Sequence, residues 1–141
     1  MRLSLVLLIL SLWITGCTQK YFIVRHAEKA QPSAGMVMNS PNDPPLTEAG
    51  SARALDLAER LSRDKISYVF STNTIRTQST AKPTATRFNC LVETYASIDS
   101  AYITRLKGLH KNVLIVGHSN TVDDLVNGLT GRQLLTDLPD Y

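Results

Sequence analysis

Tyr21-Phe22-Ile23-Val24-Arg25-His26-Ala27-Glu28-Lys29 (YFIVRHAEK) is the stretch on which the fold turns. Four residues that favour extended backbone run straight into an Arg-His pair, and a loop containing proline follows. A buried strand with this ending places an imidazole and a fixed cation at the carboxyl edge of a sheet, where open α/β sheets hold their ligands. A solitary histidine there is most often a strand-end residue without chemistry. His26 has company farther along the chain.

On the N-terminal side, Arg2 precedes an apolar run from Leu3 to Ile14, interrupted only by Ser4 and Ser11. The run is short for a bilayer span and suits the apolar region of a signal peptide over residues 1–16. It ends in Ile14-Thr15-Gly16-Cys17, which resembles the lipobox of bacterial lipoproteins, where the cysteine is acylated and becomes the new N-terminus. An ordinary secretory signal or an uncleaved anchor are the competing readings. With lipid on Cys17, the domain 17–141 is expected outside the cytoplasm, as a lipoprotein anchored to a membrane of the cell envelope. Only Thr18 to Lys20 separate that lipid from the first strand. Cys90 is then left without a disulfide partner and reads as a small residue packed near a strand start.

Composition fits one globular domain. The chain has 141 residues, 43% of them hydrophobic and 19% charged, enough apolar side chain for a core. The formal charge is +3, aromatics make up 6%, and no run of lysine or arginine occurs, which argues against a nucleic-acid partner. A small positive excess favours anionic substrates.

On the C-terminal side of the opening stretch, residues 30–45 carry four prolines and read as an irregular loop placed to rim a site. Thr47 has the chemistry of a helix N-cap, with Glu48 in the first turn. Ala54, Leu57, Ala58 and Leu61 then follow the spacing of one helix face. Ile66 to Ser71 is a second buried strand. A helix from Asn73 or Thr74 towards Phe88 follows, with Arg76 in its first turn and Pro83 expected to kink or split it. Leu91 to Tyr95 is a third strand containing Glu93. Ser100 to Leu109 is a helix, with His110 read as a charge partner of its C-terminal end. Val113 to Gly117 (VLIVG) is a continuous apolar run of the kind a central parallel strand shows. It delivers His118 and Ser119 to the start of a helix over Asn120 to Leu129. This alternation predicts a layered α/β domain with a mostly parallel sheet flanked by helices.

Arg25, His26, Arg76 and His118 therefore all fall at strand ends or in first helical turns. Two guanidinium forks and two imidazoles around one point form a pocket for a phosphoryl group, since each fork can bind two oxygens of one anion. A metal site is the competing idea for paired histidines. The neighbouring arginines would repel a cation and no carboxylate set accompanies them, so no metal is expected.

At these residues the chain resembles the histidine phosphatase superfamily, the phosphoglycerate-mutase-like group, and in particular its short, minimal-domain members. The matching pieces are Ile23-Val24-Arg25-His26-Ala27-Glu28, Leu46-Thr47-Glu48-Ala49-Gly50, Ser71 through Arg76-Thr77-Gln78 to Thr80-Ala81, and Val116-Gly117-His118-Ser119-Asn120-Thr121. They occur in the family's order and cover nearly all of the mature chain. The resemblance implies a three-layer α/β fold, a phosphohistidine formed on His26, and binding of the phosphoryl group by Arg25, Arg76 and His118. It implies no metal or organic cofactor and a small phosphorylated substrate. Asn120 and Thr77 read equally well as extra phosphate contacts and as structural caps.

Two departures from the family pattern stand out. Many members carry a carboxylic acid that protonates the leaving oxygen. The span between Arg76 and His118 is short here, and Glu93 is the candidate, with Asp99 behind it and Glu28 in a supporting role. The chain also ends at Leu138-Pro139-Asp140-Tyr141, before the last strand of related domains, so a sheet position is expected to stand open. The expected activity is hydrolysis of a small phosphomonoester at the cell envelope. The alternative is a catalytically impaired phosphate-binding or ligand-binding lipoprotein of the same fold.

Overall fold

A computed structural model describes residues 18–31, 42–136 and 138–139. The leader with Cys17 and the centre of the proline-bearing loop lie outside the described residues. Among the described residues no helix is long and apolar enough to cross a membrane.

The elements alternate: β1 (Tyr21–Arg25), α1 (Glu48–Arg60), β2 (Ile66–Thr72), α2 (Ile75–Arg87), β3 (Val92–Tyr95), α3 (Ser100–Gly108), β4 (Asn112–Gly117) and α4 (Ser119–Thr130). The four strands form one sheet in the order β1-β4-β2-β3, every pair parallel. β4 is central, and its Val113 to Val116 are fully buried. This is why its sequence is continuously apolar rather than alternating.

Side chains along a strand point to opposite faces in turn, and the two cores follow that period. Phe22, Val24, Val69, Leu114 and Val116 pack with Leu57, Leu61, Ala81 and Ala85 on the α1/α2 face. Tyr21, Ile23, Phe70, Val113 and Ile115 pack with Leu106, Ile103, Leu125 and Leu129 on the α3/α4 face. Helices thus cover both sides of the sheet, giving three layers.

β1 and β3 are the edge strands. All five residues of β1 are half-buried. No fifth strand is present among the described residues, and the described part of the chain after α4 packs against that helix instead.

Two expectations need correction. Pro83 does not split α2, which is one helix from Ile75 to Arg87. The stripe Thr77, Thr80, Ala81, Thr84 and Ala85 is buried along its length, so tertiary packing outweighs the single missing amide. His110 is not in the last turn of α3, which holds Arg105 and Lys107 instead. It lies beyond the helix with φ 50°, as Lys65 (48°) and Asn89 (53°) lie beyond α1 and α2. Each turns the chain from a helix into the next stretch of sheet.

Candidate active site

Strand pairing decides the site. Arg25 of β1 lies opposite Gly117 of β4, so the next residue of each strand, His26 and His118, leaves the sheet beside the other. Parallel neighbours are about 4.8 Å apart, and the two rings sit 5.3 Å apart, centroid to centroid, edge to face at 68°. The His26 amide continues the ladder, donating to the Gly117 carbonyl at 2.9 Å. On the other flank of β4, Ser71 pairs with Val116, which brings the β2 end and the first turn of α2, with Arg76, to the same edge. Arg25, His26, Arg76 and His118 line one cleft of about 420 Å³, joined by Lys29 and by Ser119 at the start of α4.

The two rings are held differently. His26 Nδ1 is 2.7 Å from the Ala27 carbonyl. A carbonyl only accepts, so Nδ1 carries the proton and Nε2 keeps its lone pair. Burial pushes the His26 pKa below the ordinary histidine value. The Ala27 hydrogen bond opposes that shift, and the charges of Arg76, Arg25 and Lys29 reinforce it. The ring is therefore neutral near pH 7. His118 Nε2 lies 3.0 Å from Thr72 Oγ1. Thr77 Oγ1 donates to the Thr72 and Thr74 carbonyls, so the Thr72 hydroxyl proton goes to Thr77 and His118 Nε2 donates to Thr72. The His118 amide donates to Thr121 Oγ1 at 2.7 Å, and that hydroxyl returns to the His118 carbonyl. Backbone and ring of His118 are both fixed.

The arginines are braced as well. Asp43 accepts from Arg76 Nη1 at 3.0 Å and from the Ile75 amide at the head of α2. Arg76 Nε is buried and makes no hydrogen bond to the protein among the described residues. Arg25 Nη1 donates to the Pro139 carbonyl at 3.0 Å. The segment carrying Pro139 is strapped to α4: Asn127 accepts from the Leu134 and Leu135 amides and donates to the Leu135 carbonyl. Asp123 accepts from the Leu138 amide.

The Leu46-Thr47-Glu48-Ala49-Gly50 motif acts as a backplate for the strand that carries His26. The Thr47 amide donates to the Glu28 carbonyl at 2.9 Å, and Thr47 Oγ1 accepts from the Gly50 amide. A Cβ on Gly50 would fall 2.3 Å from that Glu28 carbonyl oxygen, so the close approach requires glycine. Ala27 is held from the other side by Thr80 Oγ1, which accepts its amide at 3.0 Å.

The two carboxylates weighed as proton donors, Glu93 and Asp99, line neither cleft at the end of β1. Glu93, on edge strand β3, is paired with Arg105 Nη2 at 2.6 Å and is not among the residues lining the cleft. Asp99 caps α3 through the Tyr102 amide, a bond that lowers its pKa. Glu28 is paired with Arg53, which holds it below the usual carboxylate range. Thr77 supports Thr72 rather than lining the cleft; Asn120 does line it. Cys90 is half-buried, with Sγ 3.7 Å from the Ile66 carbonyl. Lys29, Thr72 and Asp43 were not singled out by sequence reasoning, because their roles arise from contacts between separate segments. Among the described residues no three His, Cys, Asp or Glu side chains are grouped to hold a metal ion.

Comparison with known proteins agrees with this geometry. The profile of the histidine phosphatase superfamily (branch 1) matches residues 21–110. The protein named probable phosphoglycerate mutase GpmB of Cronobacter sakazakii is 30% identical over 119 residues, which are 84% of this chain and 51% of that protein. The chain thus spans about half the length of this curated relative. Among solved structures, the protein histidine phosphatase SixA complexed with tungstate superposes with a TM-score of 0.60 at 25% identity, over 76% of this chain and 74% of that one. Mycobacterial glucosyl-3-phosphoglycerate phosphatase complexed with VO3 shares the fold at 14% identity and a TM-score of 0.62, over 78% and 79% of the two chains. With its matched segments meeting at one sheet edge and the family profile covering most of its length, this chain belongs to the histidine phosphatase superfamily, branch 1.

Proposed function

We propose that the protein is a phosphatase that hydrolyses a small phosphomonoester through a phosphohistidine on His26, and that lipid on Cys17 holds it at the cell envelope. The observation that carries the catalytic half is the His26 ring: Nδ1–H is tied to the Ala27 carbonyl, and the neutral ring lines a cleft with two arginines and a second imidazole. In this reading Arg25 and Arg76 hold the phosphoryl oxygens, His26 Nε2 attacks phosphorus, and the ester oxygen leaves with the bonding pair. The His118 ring, its Nε2–H held by Thr72, stands beside the equatorial oxygens where charge builds. Water then displaces His26 from phosphorus and inorganic phosphate departs. The fold relative SixA was solved with an oxyanion, tungstate, which fits a cleft of this charge. The envelope half rests on the sequence alone, on residues 1–17.

One observation favours a second reading, a non-catalytic oxyanion-binding domain: Glu93, Asp99 and Glu28 are all committed to other partners. The test is to incubate the full chain with p-nitrophenyl phosphate across a pH series, beside His26→Ala, and to acid-quench with a radiolabelled substrate. The phosphatase reading expects turnover and an acid-labile label, both lost in His26→Ala. Turnover no greater than in that variant, with no trapped label, would leave the binding domain. A panel of phosphoserine, 3-phosphoglycerate and a phosphohistidine-bearing protein addresses the substrate. Fatty-acid labelling of cells, lost in Cys17→Ala, checks the anchor.

A further inference from the structure

Resting on the phosphatase reading, the geometry points to Lys29 as the residue that protonates the leaving oxygen, in the place of a carboxylic acid. Two clefts meet at the end of β1. One holds Arg76 and His118; the other, about 490 Å³, is lined by Glu28, Gln31 and Arg53 among others. Arg25, His26 and Lys29 are common to both. A phosphomonoester whose phosphoryl group occupies the first cleft extends its organic group along the wall shared with the second, with its bridging oxygen turned away from His26 Nε2. His26 and Arg25 already act on phosphorus and its oxygens. Lys29 is the remaining group of that wall: the Arg25 guanidinium does not give up its protons, and the His26 Nδ1 proton is tied to the Ala27 carbonyl.

The backbone fixes where the lysine starts. Lys29 forms an antiparallel bridge with Leu46, and its neighbours are tied on both sides, Ala30 N to the Pro45 carbonyl at 2.8 Å and Thr47 N to the Glu28 carbonyl at 2.9 Å. Glu28 is turned to Arg53 on α1, while Lys29 lines both clefts beside His26. In-line displacement puts the leaving oxygen on the far side of phosphorus from Nε2. A four-carbon stem carrying a movable ammonium has the reach for that position. Asp123, the carboxyl that lines the phosphate cleft, accepts from the Leu138 amide with one oxygen, and its other oxygen is buried.

The step balances. As the His26 Nε2–phosphorus bond forms and the phosphorus–oxygen ester bond breaks, the oxygen keeps the electron pair and takes a proton from the Lys29 ammonium, leaving as the alcohol. Lys29 is then a neutral amine. It accepts a proton from the water that attacks phosphohistidine, the nitrogen–phosphorus pair returns to Nε2, and phosphate is released with Lys29 recharged.

The test measures kcat/KM of the unaltered chain, Lys29→Met and Lys29→Arg on p-nitrophenyl phosphate, whose acidic phenol needs little help to leave, and on an alkyl phosphate, whose alkoxide needs a proton. Loss of a general acid is worth about 10²–10⁴-fold, so Lys29→Met is expected to fall by about 100-fold or more on the alkyl ester. On p-nitrophenyl phosphate it should fall by less than about 10-fold. Lys29→Arg keeps the cation but donates poorly, and it should resemble Lys29→Met on the alkyl ester. Equal losses on both substrates, with Lys29→Arg restoring both, would make Lys29 a phosphate-binding cation and overturn the assignment while leaving the phosphatase reading standing. Far-ultraviolet circular dichroism and thermal melts establish that the variants fold. No turnover or phosphoenzyme in the unaltered chain would instead remove the reading on which this assignment rests.

Discussion

Replacing Gly50 by alanine tests whether the backplate beneath the His26 strand positions the chemistry. The added Cβ would lie 2.3 Å from the Glu28 carbonyl oxygen, 3.1 Å from its nitrogen and 3.2 Å from its carbon. All three are backbone atoms, so no side chain can swing away, and the gap must open by about 1 Å to reach ordinary contact. Overpacking of this kind costs about 1–3 kcal/mol. Opening the gap also stretches the Thr47 amide bond to the same carbonyl, a loss of about 1 kcal/mol. The sum is about 2–4 kcal/mol of destabilisation. Because Glu28 is two residues from His26, a shift of this size at the strand end should also lower kcat by about 100-fold. Urea denaturation followed by circular dichroism measures the first effect, and p-nitrophenyl phosphate turnover below the transition measures the second. Gly108 is the control: it ends α3, and nothing lies within 4 Å of a Cβ there. Gly108→Ala should be neutral or stabilising by up to about 1 kcal/mol. Gly50→Ala as stable and as active as the parent would refute the reasoning.

Three further outcomes follow from the same geometry. His26 must be neutral to attack, and its folded pKa lies below the ordinary value of 6.5, so kcat/KM against pH should show an acid limb below that value. For stability, the unfolded chain takes up this proton before the folded one, so the His26 contribution is complete above pH 6.5. It declines as pH falls through the lowered folded value, and the difference between parent and His26→Gln in urea midpoint should narrow over that window. Thr72→Val removes the hydroxyl that receives the His118 Nε2 proton and should lower kcat/KM about 5-fold, for a bond worth about 1 kcal/mol, with His118 NMR shifts reporting the freed ring. Asp43→Ala removes the acceptor shared by Arg76 Nη1 and the Ile75 amide. It should cost about 1–2 kcal/mol in a thermal melt and raise KM more than it lowers kcat, whereas Asp43→Asn should recover part of the stability.

Much of this protein was written locally. Tyr21 to Val24 and Val113 to Val116 declare strands by composition, Thr47 declares a helix start by its capping oxygen, and helical spacing from Ala54 to Leu61 declares the buried face of α1. Arg25, His26, Arg76 and His118 were each legible because a histidine or arginine at a strand end or in a first turn is oriented by local backbone geometry. What the sequence by itself could not set is which strands are neighbours. The order β1-β4-β2-β3 places His26 beside His118, though 91 residues of chain lie between them, since parallel pairing depends on which faces bury together and not on chain distance. The same long-range contacts send Glu93 to Arg105, Asp43 to Arg76 and Lys29 to the wall between two clefts. A charged side chain is flexible and takes the partner that folding brings within reach, so tertiary structure alone assigned those roles.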